Sequence, residues 1–113
     1  MPRPHRVELP GGIFHVTARG AGQHDIYRDD IDRTTFIGLL RQVVRATNWG
    51  CLTYCLMGNH YHLVIELRET NLSAGMQRLN GEYARMFNDR HRRSGHLFQG
   101  RFWSKLIRRE SQI

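Results

Sequence analysis

The chain has no apolar run approaching the ~20 residues that a membrane-spanning helix needs. Its opening, Met1-Pro2-Arg3-Pro4-His5-Arg6, also lacks the apolar core of a signal peptide. Both absences point to a cytoplasmic protein. Cysteine is nearly missing, with Cys51 and Cys55 the only two. Residues four apart on one strand have Cα atoms about 13 Å apart, beyond disulfide reach, so reduced, buried thiols are expected. There is no Cys-x-x-Cys pair, no internal repeat and no low-complexity linker. Lysine is scarcer still: sixteen of the seventeen basic side chains are arginine, and Lys105 is the exception. A length of 113 residues supports a single domain, with a core large enough to fold unaided but no second unit.

What is present is an uneven charge. Residues 1–67 carry seven arginines against six acidic residues, whereas residues 68–113 carry nine arginines and Lys105 against four. The second half is therefore the candidate for binding a polyanion, because a planar guanidinium suits phosphate and stacks on bases. A basic surface that is merely solvated has the same composition.

Periodicity orders the chain as β-α-β-β-α-β. Pro10-Gly11-Gly12 is a turn that launches a strand over Ile13–Arg19, and Gly20-Ala21-Gly22 ends it. Asp29 or Asp30 caps a helix whose apolar stripe is Phe36, Leu39, Leu40, Val43 and Val44, ending near Asn48–Gly50. Cys51–Met57 and His60–Leu67 form a hairpin about Gly58-Asn59. Its pairing sets Met57 beside His60, Cys55 beside His62, Thr53 beside Val64 and Cys51 beside Glu66, with Leu52, Tyr54 and Leu56 on the core face beside Tyr61, Leu63, Ile65 and Leu67. Asn71 or Ser73 caps a second helix with the stripe Leu72, Met76, Leu79, Tyr83, Met86 and Phe87, and a last strand spans Leu97–Ile107. This order predicts an α+β, ferredoxin-like fold: an antiparallel sheet with both helices on one face.

Alternation then populates the other face. With Phe14, Val16 and Ala18 under the helices, His15, Thr17 and Arg19 point away. On the last strand Gln99, Arg101, Trp103 and Lys105 alternate against Phe98, Gly100 and Phe102. His15, Arg19, His60, His62, Arg101, Trp103 and Lys105 thus share one surface. It suits single-stranded nucleic acid, with basic groups following the backbone and an exposed tryptophan stacking a base for roughly 1 to 3 kcal/mol.

His60-Tyr61-His62 places two imidazoles on one face of a strand, a two-tooth clamp for a metal ion. Paired histidines are also tolerated as plain polar residues on a half-exposed strand. A structural zinc held by Cys55, His60 and His62 is a third reading, for which no fourth ligand is visible at finger-like spacing.

Four blocks carry a family resemblance: Gly12-Ile13-Phe14-His15-Val16-Thr17-Ala18-Arg19-Gly20, Tyr54-Cys55-Leu56-Met57-Gly58-Asn59-His60-Tyr61-His62-Leu63, Asn71-Leu72-Ser73, and Gly95-His96-Leu97-Phe98-Gln99-Gly100-Arg101-Phe102. In these blocks the chain resembles the HUH single-tyrosine transposases, the IS200-like transposase domain, and looks most like the REP-associated tyrosine transposases. The resemblance implies a transposase, a DNA strand transferase in which His60 and His62 hold one Mg²⁺ or Mn²⁺ ion. The ion polarises a scissile phosphate, and a tyrosine attacks it to give a 5′-phosphotyrosine link. The implied partner is single-stranded DNA, hairpin or palindromic, with no membrane involved and a homodimer among the assemblies known for such proteins.

One part of the pattern is missing. The family's nucleophile lies on a helix after the Gly-Arg-Phe strand, and no residue here matches it. Tyr54, Tyr61 and Tyr83 have core parity, and Tyr27, in a loop, is the one tyrosine free to move. Glu66 shares the histidine face but lies about 13 Å from His62 along the strand, too far to join a metal. The expectation is a single domain, residues 1–113, that lacks the C-terminal tyrosine helix and is catalytically defective alone. Two alternatives are a chain completed in trans by another polypeptide and a non-catalytic module of RRM-like topology, whose usual stacking aromatics are absent from the central strands.

Overall fold

Two stretches of strict alternation make the two central strands. In Gly12–Arg19 (β1) and His60–Glu66 (β3), Phe14, Val16 and Ala18 on one strand and Tyr61, Leu63 and Ile65 on the other are all buried. The computed structural model describes residues 8–109. Around β1 and β3 it places α1 (Asp30–Thr47), β2 (Gly50–Leu56), α2 (Leu72–His91) and β4 (Trp103–Arg109). The sheet is antiparallel throughout, in the order β2-β3-β1-β4. This is the expected ferredoxin-like α+β fold, and no helix among the described residues is long and apolar enough to cross a membrane.

Local chemistry fixes the helix ends. The Asp29 carboxylate accepts from the Asp32 amide at 3.1 Å, occupying one of the donors left open in the first turn, and Asp30 and Asp32 favour the positive end of the helix dipole. At the other end Asn48 takes a left-handed conformation (φ 59°), which asparagine tolerates. Asn71 precedes α2 without capping it. Its side chain instead accepts from Trp49 Nε1 at 3.0 Å and donates to the Thr47 carbonyl at 2.8 Å, tying the end of α1 to the start of α2.

Both helices cover the same sheet face. Phe36, Leu39, Leu40 and Val43 from α1 meet Leu72, Met76, Leu79, Tyr83 and Phe87 from α2 over the buried residues of β1 and β3. Phe36 packs on Tyr61 with ring centroids 4.7 Å apart, and Tyr61 Oη donates to Asn80 on α2. Trp49 is buried against Gly75, where an added Cβ would lie 2.2 Å from the indole Cζ2.

The helix ends are joined by charge. Arg90 near the end of α2 reaches Asp29 and Asp32 at 2.6 and 2.7 Å, and His91 Nε2 lies 2.8 Å from Asp32. Asp32 is buried, and its second oxygen accepts from the Arg28 amide at 2.9 Å. Burial acts to raise its pKa, but the Arg28 amide, Arg90 and His91 outweigh burial and hold it below the usual carboxylate value.

Several expected details differ. Cys51 pairs with Ile65, and Glu66 pairs with Gly50, because a bulge at Leu52 inserts one residue into the edge strand. Cys55–His62, Thr53–Val64 and the Met57–His60 hydrogen bond stand as expected. Leu52 is 56% exposed and Tyr54 48%, since β2 is the sheet's edge and α1 does not reach over them. Both cysteines are free, but only Cys51 packs against the core; Cys55 is exposed. Met86 lies 38% exposed at the margin of the α2 stripe. The last strand begins at Trp103 and not at Leu97, because Gly100 adopts a left-handed conformation (φ 60°) that interrupts the extended chain. Residues 97–99 still follow β1 through an isolated bridge from Phe98 to Gly20 and a bond from the Gln99 amide to the Arg19 carbonyl. Tyr27, expected to be mobile, is buried against Phe36 and Tyr83.

Candidate functional site

The sheet face away from the helices gathers the residues singled out by alternation. In register, Thr17 is opposite His62 on one side and Trp103 on the other, Arg19 is opposite His60, and His15 is opposite Lys105. A groove of about 470 Å³ is lined by His15, Thr17, Arg19, His62, Arg101 and Trp103, with Gln99 at its edge. Lys105 is exposed beside His15 but does not line the groove.

The histidines form an ordered group. His15 Nε2 lies 2.8 Å from His62 Nδ1, and the two rings stack with centroids 5.0 Å apart. Thr17 Oγ1 lies 3.0 Å from the same His62 nitrogen. Trp103 meets His15 edge-on at 5.3 Å, and His60 meets His62 edge-on at 5.0 Å. His60 Nδ1 lies 2.8 Å from Asn59 Oδ1, which only accepts, so that nitrogen carries the proton and Nε2 carries the lone pair. Burial, with the positive fields of His15, His60 and Arg19, lowers the pKa of His62 and favours its neutral form.

Thr17 and Asn59 were not among the expected site residues, although both signals were legible. Thr17 shares the parity of His15, and Asn59 immediately precedes the first histidine of the pair.

Among the described residues no three or more His, Cys, Asp or Glu side chains gather to hold a metal ion, which argues against a Cys55–His60–His62 zinc centre. Cys55 Sγ is instead directed to Met57 Sδ at 3.6 Å, and Glu66 meets Arg68 at 3.8 Å. Two imidazoles with their Nδ1 atoms engaged do fit a cation that keeps most of its shell for water and phosphate oxygens.

No tyrosine faces the groove. Tyr27, Tyr61 and Tyr83 are buried in the core, where burial pushes each phenol far above its ordinary pKa. Tyr83 Oη donates to the Ile26 carbonyl, a packing role rather than a nucleophilic one. Tyr54 is exposed but belongs to the helix-side groove between α1 and β2.

The fold and this face together define a ferredoxin-like domain with a histidine pair on its uncovered sheet surface. Residues 11–111 match the model of the family described as "Transposase IS200 like". The chain belongs to this IS200-like transposase family.

Among solved structures, a REP-associated tyrosine transposase bound to a REP hairpin superposes with a TM-score of 0.78 at 15% identity, covering 99% of this chain and 66% of that one. A candidate transposase from Deinococcus radiodurans R1 superposes with a TM-score of 0.68 at 13% identity, covering 99% and 88%. The chain thus spans just under two thirds of the first of these structures. A search of curated proteins found no match.

Proposed function

We propose that this chain is a single-stranded-DNA-binding transposase domain whose open sheet face holds a DNA hairpin or its flanking strand. The observation that carries the reading is the single groove shared by His15, His62, Arg19, Arg101 and an exposed Trp103. Its support is the family match and the hairpin bound by the structurally similar REP-associated protein. Trp103, 51% exposed, offers a ring on which a base stacks, and Arg19 and Arg101 flank it with positive charge for the backbone.

His60 and His62 would hold a divalent cation, Mg²⁺ or Mn²⁺, and nitrogen ligands favour Mn²⁺. When bound, such an ion supplies charge neutralisation at a scissile phosphate. The chain's own contribution is orientation: Asn59 fixes the tautomer of His60, and His15 with Thr17 holds His62. Cleavage through a 5′-phosphotyrosine needs a tyrosine that none of the four in this sequence presents to the groove. We therefore assign DNA and metal binding to these residues and no strand cleavage to them alone.

The test pairs two readouts on a labelled hairpin with Mn²⁺. Fluorescence anisotropy reports binding, which is expected and is expected to weaken in Arg101→Ala and Trp103→Ala. A denaturing gel reports covalent adduct, which is expected to be absent. Failure to bind any DNA would refute the reading. A His60-dependent adduct would refute the assignment of no cleavage.

A further inference from the structure

Among the arginines that no carboxylate pairs, two lie beside the open face and form a second basic site. Arg33, Arg68, Arg78 and Arg85 each pair with a neighbouring carboxylate, and Arg90 is held by Asp29 and Asp32. Among the described residues, Arg19, Arg28, Arg41, Arg45, Arg92, Arg93, Arg101 and Arg108 pair with no carboxylate, and Arg41 and Arg45 line the groove between α1 and β2. Arg19 and Arg101 line the groove of the open face. Arg28 and Arg93 line another groove of about 500 Å³, together with His24 and Asp25.

The two grooves lie on the same pair of chain segments. Segments 19–28 and 93–101 run side by side, joined by the Ala21 amide to the Leu97 carbonyl at 2.8 Å, the Gln99 amide to the Arg19 carbonyl at 2.8 Å, and the Gly20–Phe98 bridge. Each segment has an unneutralised arginine toward both of its ends: Arg19 and Arg28 on one, Arg101 and Arg93 on the other.

The second pair is held in place by neutral groups. The Arg28 guanidinium sits over the Phe87 ring, 5.4 Å from its centroid, and its backbone amide is bonded to buried Asp32. Arg93 donates to Asn88 Oδ1 at 3.0 Å and to the His96 carbonyl at 3.2 Å. Such contacts order a guanidinium without cancelling its charge, leaving N–H groups for phosphate oxygens. Asp25 is the one acid in the groove, and its carboxylate lies toward the hairpin turn, 3.2 Å from where a Cβ on Gly58 would stand.

From this geometry we infer a second nucleic-acid contact, in which Arg28 and Arg93, with His24 beside them, bind the phosphodiester backbone of DNA that continues beyond the open face. It rests on the function proposed above and extends the footprint from the sheet to the loop end of the fold. The contacts are to phosphate, so they add affinity and salt dependence without reading bases.

The test measures anisotropy titrations of the full chain at several salt concentrations with two probes. One is a DNA hairpin with a duplex stem, and the other is a single strand of about four nucleotides, a length at the low end of single-strand site sizes. Arg28→Ala/Arg93→Ala is expected to weaken hairpin binding about tenfold or more and to reduce the steepness of log K against log salt by about two, one for each phosphate that is no longer neutralised. Binding of the short strand is expected to stay unchanged. The variant Arg28→Lys/Arg93→Lys, which keeps the charge, should retain most of the salt dependence.

Hairpin binding that the alanine variant leaves untouched would overturn the second site while leaving the open-face reading standing. Equal weakening on both probes would also overturn it, since the effect would not be confined to the longer DNA. Absence of binding by the unsubstituted chain would overturn both readings.

Discussion

His15 Nε2 and His62 Nδ1 approach to 2.8 Å across two neighbouring strands, so the first strand determines which nitrogen of His62 faces the groove. An imidazole ligand generally depends on the partner of its other nitrogen for tautomer and ring orientation. His15→Ala is therefore expected to weaken Mn²⁺ binding by about 10- to 100-fold, the range for such supporting partners. Isothermal titration of the metal, with His60→Ala and His62→Ala as references, checks this. An unchanged Mn²⁺ affinity in His15→Ala would remove its positioning role.

Gly75 and Gly81 give opposite predictions within one helix. A Cβ at Gly75 would meet the Trp49 indole at 2.2 Å, a ring held by packing and by its bond to Asn71, whereas one at Gly81 meets nothing within 4 Å. Gly75→Ala should cost roughly 1 to 3 kcal/mol through overpacking, outweighing the better helix propensity of alanine. Gly81→Ala should stabilise by about 0.5 to 1 kcal/mol. Thermal or urea unfolding of the two variants side by side decides it, and shifts of the same sign would contradict the packing described.

Acid should loosen the junction between the helix ends. Hydrogen bonds from Arg90 and the Asp32 amide lower the pKa of Asp29, while Asp32 is lowered despite its burial. A carboxylate depressed in the folded state stabilises it above the unfolded value of about 3.9, and this stability is lost as pH falls through the folded values. Stability at pH 7 should exceed that at pH 3, and the gap should shrink in Asp32→Ala. That variant leaves His91 and the Arg28 amide without their carboxylate while Arg90 keeps Asp29, and should cost roughly 1 to 3 kcal/mol at pH 7. Urea titrations at the two pH values test this, with a gap the same in both proteins as the contrary result.

Trp103 should report DNA directly. Its exposed ring, edge-on to His15, is positioned to stack a base, so Trp103→Ala is expected to cost about 1 to 3 kcal/mol of single-strand affinity. Binding should quench fluorescence in the unsubstituted chain. The buried Trp49 is shielded from DNA, so a quench of equal size in Trp103→Ala would place the contact elsewhere.

Strands with strict alternation were legible in the sequence, and so was the face that their histidines share. The parity of His15, Thr17 and Arg19 and the spacing of His60 and His62 lead directly to one sheet face, because period-two patterning leaves few choices once the core face is known. The departures arise where local pattern is silent. Apolar Leu52 and Tyr54 read as core, yet their edge strand lies beyond the cover of α1. The delayed start of β4 follows from one backbone angle at Gly100. Tyr27 looked free because the aromatic cluster that encloses it is built by Phe36 and Tyr83, and the Asp29–Asp32–Arg90–His91 junction joins residues about sixty positions apart. Such contacts depend on how the helices lie together, and no window of sequence contains both partners.

The tip of the β2–β3 hairpin is fastened to the segment leading into α1. The Gly58 carbonyl accepts from the amides of Ile26 and Tyr27 at 2.9 and 3.3 Å, and the Asn59 carbonyl accepts from Gly20 at 2.8 Å. These amides belong to a connecting loop, where exchange with solvent deuterium is ordinarily fast. Here their release requires the loop to part from the hairpin tip, so they are expected to exchange more slowly than open-loop amides and to report how firmly the turn before the histidine pair is held.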